Sequence, residues 1–302
     1  MTVPNLKNDI LRTLLYFEIF DHALSPRELL YLLPRNSVTK SDLEVTLSKL
    51  VDEGVLQDGG GLFHLPNDVN HGLLRRQREK LARKRMIVAR FMGHIIKRFP
   101  FVRGIFISGD LSKGVASLES DIDYVIVVQP RRIWICRTLL VLFKKVFLLN
   151  SKKYFCLNYF VDSDNLTFDD QNYYSAVEIV YLKPLYNFSL YLRYLNSNSW
   201  IQSYFPNYQY FALSRQQGNL TDSVLQKILE VVIIGRFADR LDHALMEIMK
   251  RVWKKRYPEY DEETRERLFR STTTESRAYA GNFASKIFSI YEEKLRRYQL
   301  VE

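Results

Sequence analysis

Apolar side chains return at helical spacing between residues 6 and 20, which predicts a first helix. Ser25-Pro26-Arg27-Glu28 then offers an N-cap, a proline at the first helical position and a capping glutamate, so a second helix starts near Pro26. Thr39 can cap a third, in which Leu43, Leu47, Leu50 and Val51 form one apolar face ending at Gly54. Residues 55–57 and 62–65 read as two short strands around the turn Asp58-Gly59-Gly60-Gly61, because glycine tolerates positive φ. A continuous helix follows over 71–98. In it Leu74, Leu81, Val88 and Ile95 recur at heptad intervals, with arginines and lysines covering the rest.

After Pro100 the pattern changes to strand, tight turn, helix and strand. Strands are expected over 102–108, 122–128 and 154–161, a turn opening a short helix over 109–114, and a helix over 134–149. Beyond Ser175 the chain reads as helical almost throughout, including 224–256 and 275–298, with breaks at Pro184, Pro206 and Pro258. The tyrosines and phenylalanines of 173–211 are expected to pack this helical lobe. No period of 20 to 50 residues repeats, which argues against a solenoid. The fold class is therefore α+β, with units over 1–68, a basic connecting helix over 69–100, a core over 101–184 and a helical lobe over 185–302.

Composition narrows the picture without redirecting it. With 47% apolar and 26% charged residues in 302, and only Gly 12 and Pro 9, the chain is an ordinary globular protein rather than a collagen-like or low-complexity one. Cys136 and Cys156 make neither a disulfide framework nor a zinc site and suggest a reducing compartment. The five histidines show no ligand spacing. No basic n-region precedes an apolar run, and residues 139–149 are interrupted by Lys144 and Lys145, so a cytoplasmic chain with no membrane partner is expected. The net charge of +10 is uneven: residues 1–70 carry 6 Lys/Arg against 10 Asp/Glu, whereas 71–100 carry 10 Lys/Arg against Glu79 alone. That basic helix reads either as a solvated face or as a phosphate-tracking surface.

The informative chemistry lies in Ser108-Gly109-Asp110-Leu111-Ser112-Lys113-Gly114, followed by Asp121-Ile122-Asp123. Strand side chains alternate, so Asp121 and Asp123 point one way while Ile122 enters the core. Two such carboxylates repel unless a cation sits between them, and two oxygen ligands with vacancies for water and phosphate suit Mg²⁺. The glycine turn on the neighbouring strand offers backbone N–H groups that can cradle a phosphate.

From Gly109 through Ser120-Asp121-Ile122-Asp123 the chain resembles the DNA polymerase beta-like nucleotidyltransferase superfamily, whose signature is Gly-Ser, about ten residues, then Asp-hydrophobic-Asp. Lys113-Gly114 matches the Arg-Gly or Lys-Gly that often follows the turn, and the resemblance covers roughly residues 102–161. It implies transfer of a nucleoside monophosphate from an NTP to an acceptor, with Mg (or Mn) held by Asp121 and Asp123. It also implies nucleotide contacts from Ser108, Gly109, Asp110, Ser112, Lys113, Gly114 and Asn158. The family's serine after glycine is here Asp110, and its third carboxylate, on a later strand, falls at Asn158; Asp162 is the substitute expected from the strand end, completing a catalytic set of Asp121, Asp123 and Asp162. The acceptor is left open among a small molecule, a protein and an RNA end.

The first 68 residues similarly resemble a winged helix-turn-helix. Its candidate recognition helix, residues 39–53, sets Lys40 and Lys49 against Asp42, Glu44, Asp52 and Glu53, and its wing tip carries Asp58, so a protein partner is expected there rather than duplex DNA. Two other readings stay open: a catalytically degenerate nucleotide-binding or regulatory module, and a DNA-binding regulator acting through this unit.

Overall fold

The computed structural model describes residues 5–35, 37–208, 226–227, 230–231, 235–278 and 283–300. Helices α1 (Leu6–Glu18), α2 (Pro26–Leu32) and α3 (Lys40–Asp52) form where the apolar spacing places them. Ser25 and Thr39 each accept a hydrogen bond from the backbone N–H three residues on, and the Glu28 and Asp42 carboxylates accept from the cap N–H in return. These reciprocal bonds satisfy donors that a helix start leaves open. Strands β1 (Gln57–Asp58) and β2 (Phe63–His64) pair antiparallel around Gly60 and Gly61, whose φ values of 79° and 82° need glycine. Phe63 also bridges Leu24, which ties the hairpin to the segment between α1 and α2.

Helix α4 (His71–Ile96), capped by Asn70, is a brace as well as a basic surface. Arg75 donates to both Glu28 oxygens at 2.7 and 2.8 Å, Arg76 to the Gly60 carbonyl at 2.6 Å and Arg78 to the Phe20 carbonyl at 2.9 Å. Farther along, the buried Arg85 donates to the carbonyls of Leu118 and Ser120. One helix thus clamps the N-terminal elements and the loop that leads into Asp121. Lys80, Arg83, Lys84, Arg90 and Arg98 remain exposed.

The rest of the chain builds around a five-stranded mixed sheet. Its elements are β3 (Val102–Ser108), a single helical turn α5 (Gly109–Ser112), β4 (Asp123–Val128), α6 (Ile133–Phe147), β5 (Cys156–Asp162) and α7 (Tyr173–Tyr181). They continue with β6 (Lys183–Tyr186), α8 (Phe188–Ser197), a 3₁₀ turn (Ser199–Ser203), α9 (Gly235–Arg256), α10 (Glu262–Leu268), β7 (Glu275–Arg277) and α11 (Phe283–Arg297). The strand order is β6-β3-β4-β5-β7, with β4 and β5 parallel and every other neighbour antiparallel. Helix α6 supplies the crossover that a parallel pair requires.

Alternation in the central strands divides the core in two. Phe106, Val125, Val127, Tyr159 and Val161 join the three N-terminal helices, α7, α8 and α11 on one face. Ile105, Ile107, Tyr124, Ile126 and Phe160 join α4, α6 and α9 on the other. The sheet edges depart from the helical expectation beyond Ser175. β6 contains Pro184, which donates no ladder bond and so suits an edge strand. β7, expected inside a helix over 275–298, is three buried polar residues held by charge: Arg277 bonds Glu275 at 2.9 Å and the Asp170 carboxylate, and its guanidinium covers the Phe168 ring. The helix itself is Phe283–Arg297. Of the expected 224–256 helix, Gly235–Arg256 is helical, and most of 224–234 lies outside the described residues.

Candidate functional site

Ser108 ends β3 directly opposite Asp123, the first residue of β4. The chain then turns through Gly109 at φ 65° into α5. Glycine is required here on two grounds: the left-handed backbone disfavours a side chain, and a Cβ would stand 2.6 Å from Asp123 Oδ2. The glycine turn and the carboxylate are therefore in direct contact.

β4 begins at Asp123, so Asp121 and Ile122 both precede it, a correction to the strand expected over 122–128 and to the placing of Asp121 on it. Ile122 still behaves as a strand residue. It is fully buried, its N–H donates to the Lys153 carbonyl at 3.1 Å, and its carbonyl accepts from Cys156 N–H at 3.0 Å. Asp121 and Asp123 flank it, both half-buried. Burial, together with the charges of Asp121, Glu178 and Asp110, pushes the Asp123 carboxyl up to about 6, opposed in part by the neighbouring Cys156 thiol. Asp123 thus feels three acidic neighbours, of which Glu178 is paired with a lysine.

The turn residues divide in their roles. Ser112 is fully buried and donates to the Gly109 carbonyl at 2.7 Å, bracing the turn from inside. Lys113 pairs with Glu178 of α7 at 2.6 Å. Gly114 adopts φ 80° and leaves its outer side open toward Lys183. Asp110, exposed, accepts from Ser120 Oγ at 2.7 Å, so its carboxylate is turned toward the loop before Asp121. That loop is closed by Ser117 and Ser120, each side chain accepting from the other's backbone N–H at 2.9 and 3.1 Å.

Asn158 reaches the pair and Asp162 does not. Asn158 Nδ2 donates to Asp123 Oδ1 at 2.8 Å, while its Oδ1 accepts from Cys156 Sγ at 3.2 Å. Asp162 is paired with Val128 at the other end of β4, five residues beyond Asp123, which is about 17 Å along a strand. Its carboxylate accepts from Asp164 N–H at 2.7 Å and lines a separate cavity of about 400 Å³ with Arg131, Trp134, Asp239, Asp242 and His243. The expectation that Asp162 substitutes as third carboxylate is corrected on this geometry: a strand-end residue cannot serve a site at the opposite end. Near that cavity Arg132 pairs with Asp239 at 2.6 Å, and the Arg137 guanidinium lies over the rings of Phe160 and Trp253.

No family model, curated protein or solved structure matches this chain. The site must be read from its own chemistry. Among the described residues, no group of three or more His, Cys, Asp and Glu side chains is arranged to hold a metal. Asp121 and Asp123 fit one hard divalent cation, because burial and, behind it, the Asp121 charge raise Asp123, a positive charge offsets both, and both ligands are oxygen. They do not fit a second, since Asn158 presents its amide nitrogen, not an oxygen, to Asp123. Glu178, Arg85 and Cys156 belong to the site's surroundings and were missed in the sequence, where nothing local marks them: Glu178 arrives through Lys113, Arg85 through the loop before Asp121, and Cys156 through the pairing of β5 with β4.

Proposed function

We propose that this chain is a metal-dependent nucleotidyltransferase, moving a nucleoside monophosphate from an NTP to an acceptor with release of pyrophosphate. The observation that carries the reading is the seating of the Gly109 turn against Asp123, with Asp121 two residues upstream, in the order of strand, turn and strand that the polymerase beta-like resemblance calls for. On this reading residues 101–184 form the catalytic core, the first 68 residues a winged helix serving as a docking module, and residues 185–302 a helical lobe that returns β7 to the edge of the core sheet.

Asp121 and Asp123 would hold Mg (or Mn), which when bound neutralises charge on the reacting phosphate. The remaining roles belong to the chain. Ser108 and Gly109 present backbone beside Asp123 without a side chain in the way. Ser112 keeps the turn closed, Lys113 is neutralised by Glu178, and Asn158 orients Asp123 through its Oδ1. Because Asn158 accepts no proton, the chain places no general base where the superfamily has one; an acceptor nucleophile that is already anionic meets this site best. Incubating the protein with each labelled NTP, Mg²⁺ or Mn²⁺ and lysate tests the reading, label being expected to move to an acceptor and to stop doing so in Asp121→Asn and Asp123→Asn. NTP affinity indifferent to EDTA and to both substitutions would sink it.

A second reading, a nucleotide-binding module without transfer, is favoured by one bond: Asn158 occupies an Asp123 oxygen that an active site would give to metal. Asn158→Asp separates the two, since it creates transfer in a decayed site and gives at most a modest change in a working one.

A further inference from the structure

The carboxyl-terminal end of α6 and the loop after it form an exposed tip whose chemistry the site does not use. From Arg131 to Val161 the chain holds no Asp or Glu, while Lys144, Lys145, Lys152 and Lys153 cluster at this end. Interleaved with them, large apolar side chains stand in solvent: Leu142 is 56% exposed, Val146 59%, Phe147 71% and Leu149 91%. The inner side of the same helix is well seated, Phe143 packing on Phe99 and Phe155. The loop is also pinned, Asn150 N–H donating to the Lys144 carbonyl at 3.0 Å and Ser151 N–H to Leu148 at 2.8 Å. Leu149 and Asn150 both adopt left-handed backbone, φ 47° and 59°, and this costly conformation turns a leucine outward rather than inward. Soluble surfaces seldom keep so contiguous a group of apolar side chains unless something covers them.

We infer that this tip is an interfacial element that seats the protein on an anionic lipid bilayer, with Leu142, Val146, Phe147 and Leu149 at the acyl boundary and the lysines at the headgroup phosphates. Charge complementarity selects this occupant. A second copy would bring four lysines against four lysines. Nucleic acid would use the lysines but not the aliphatic side chains. The contact is peripheral, since among the described residues no helix is long and apolar enough to cross a membrane, and it revises the expectation of no membrane partner. It does not depend on the transferase reading, although the Ile122 to Lys153 backbone bond places the tip beside Asp121.

The test is flotation of the full chain with vesicles of phosphatidylcholine alone or with about 30 mol% phosphatidylglycerol. Wild type is expected to float with the anionic vesicles and not the neutral ones, and Phe147→Ser/Leu149→Ser to lower that binding at least about tenfold with unchanged thermal unfolding. Absence of flotation overturns the inference. So does flotation equal in wild type and variant, which would mark general adsorption through the basic α4. A variant defect confined to single-stranded RNA binding, or to self-association, overturns it in favour of those partners.

Discussion

Asp123 is the residue on which the local chemistry turns. Burial and its acidic neighbours hold its carboxyl at about 6, so between roughly pH 4 and 6 the folded chain binds a proton that the unfolded chain has released. Stability from this group is full below about pH 4 and is lost as pH rises through 6. Asp123→Asn, which carries no charge to desolvate, is expected to stabilise the metal-free protein by on the order of 2 kcal/mol near neutral pH and to change little near pH 4. Urea midpoints at the two pH values measure this, and a shift of equal size at both would assign the effect to packing rather than to charge. Added Mg²⁺ should stabilise wild type and not the variant. Gly109→Ala tests the same contact from the other side: with φ 65° and a Cβ 2.6 Å from Asp123 Oδ2, it is expected to cost about 1–3 kcal/mol and to abolish transfer, read by thermal unfolding and by NTP turnover. At this scale the glycine turn and the Asp-x-Asp were legible because they lie within sixteen residues of one another. The Asn158 amide was legible as a departure from a pattern, but its bond to Asp123 crosses from β5 to β4 beside a register irregularity between Asp123 and Val125 that no spacing reveals.

Among the elements, α4 changes meaning most between sequence and structure. Its charge density suggests a surface for phosphates, yet Arg75, Arg76, Arg78 and Arg85 are spent on carbonyls and a carboxylate of neighbouring segments. Arg85 matters most for the site, because the two carbonyls it satisfies belong to the loop that ends at Asp121. Arg85→Met keeps the apolar stem and leaves those carbonyls without their donor. The expected result is a loss of about 1–3 kcal/mol in stability, together with weaker metal-dependent NTP binding than Arg83→Met, an exposed control on the same helix, produces. Calorimetric titration of NTP·Mg²⁺ against both variants decides it, and equal affinities would detach the loop anchor from the site. Helices α1 to α4 and α6 were readable from local pattern, α2 and α3 from their caps as well as from apolar spacing. β6 and β7 were not, since Lys183-Pro184 and Glu275-Ser276-Arg277 carry no strand alternation and become strands only because β3 and β5 offer open edges and the Arg277 charge network closes over the second.

Across the whole molecule, the hydrophobic core runs through the units that the sequence suggested. Tyr16 of α1 packs edge-on against Tyr173 of α7, ring centroids 4.8 Å apart, and against Tyr291 of α11 at 5.5 Å. Lys294 pairs with Glu18 at 2.8 Å and Arg12 bonds the Leu300 carbonyl at 3.0 Å. The first 68 residues cut away from these partners would expose apolar surface that the intact chain buries, so DNA recognition by the three-helix unit has to be tested in the full chain. On α3 the exposed face carries Lys40, Ser41, Glu44, Val45, Ser48, Lys49, Asp52 and Glu53, and its two lysines are already neutralised, Lys40 by Glu44 at 3.4 Å and Lys49 by Glu53 at 3.8 Å. Such a surface releases few counterions on meeting a polyanion and offers base edges little to read. The exposed Lys80, Arg83, Lys84 and Arg90 of α4, and Arg98 just beyond it, can by contrast attract any phosphate backbone. Duplex binding is therefore expected to be weak, steeply salt-dependent and indifferent to sequence, lowered by Arg83→Gln/Lys84→Gln and unaffected by Ser48→Ala/Lys49→Ala. Selection from a random duplex pool at physiological salt measures this: an enriched motif that disappears in the α3 variant would make the unit a DNA reader and displace the docking role proposed for it.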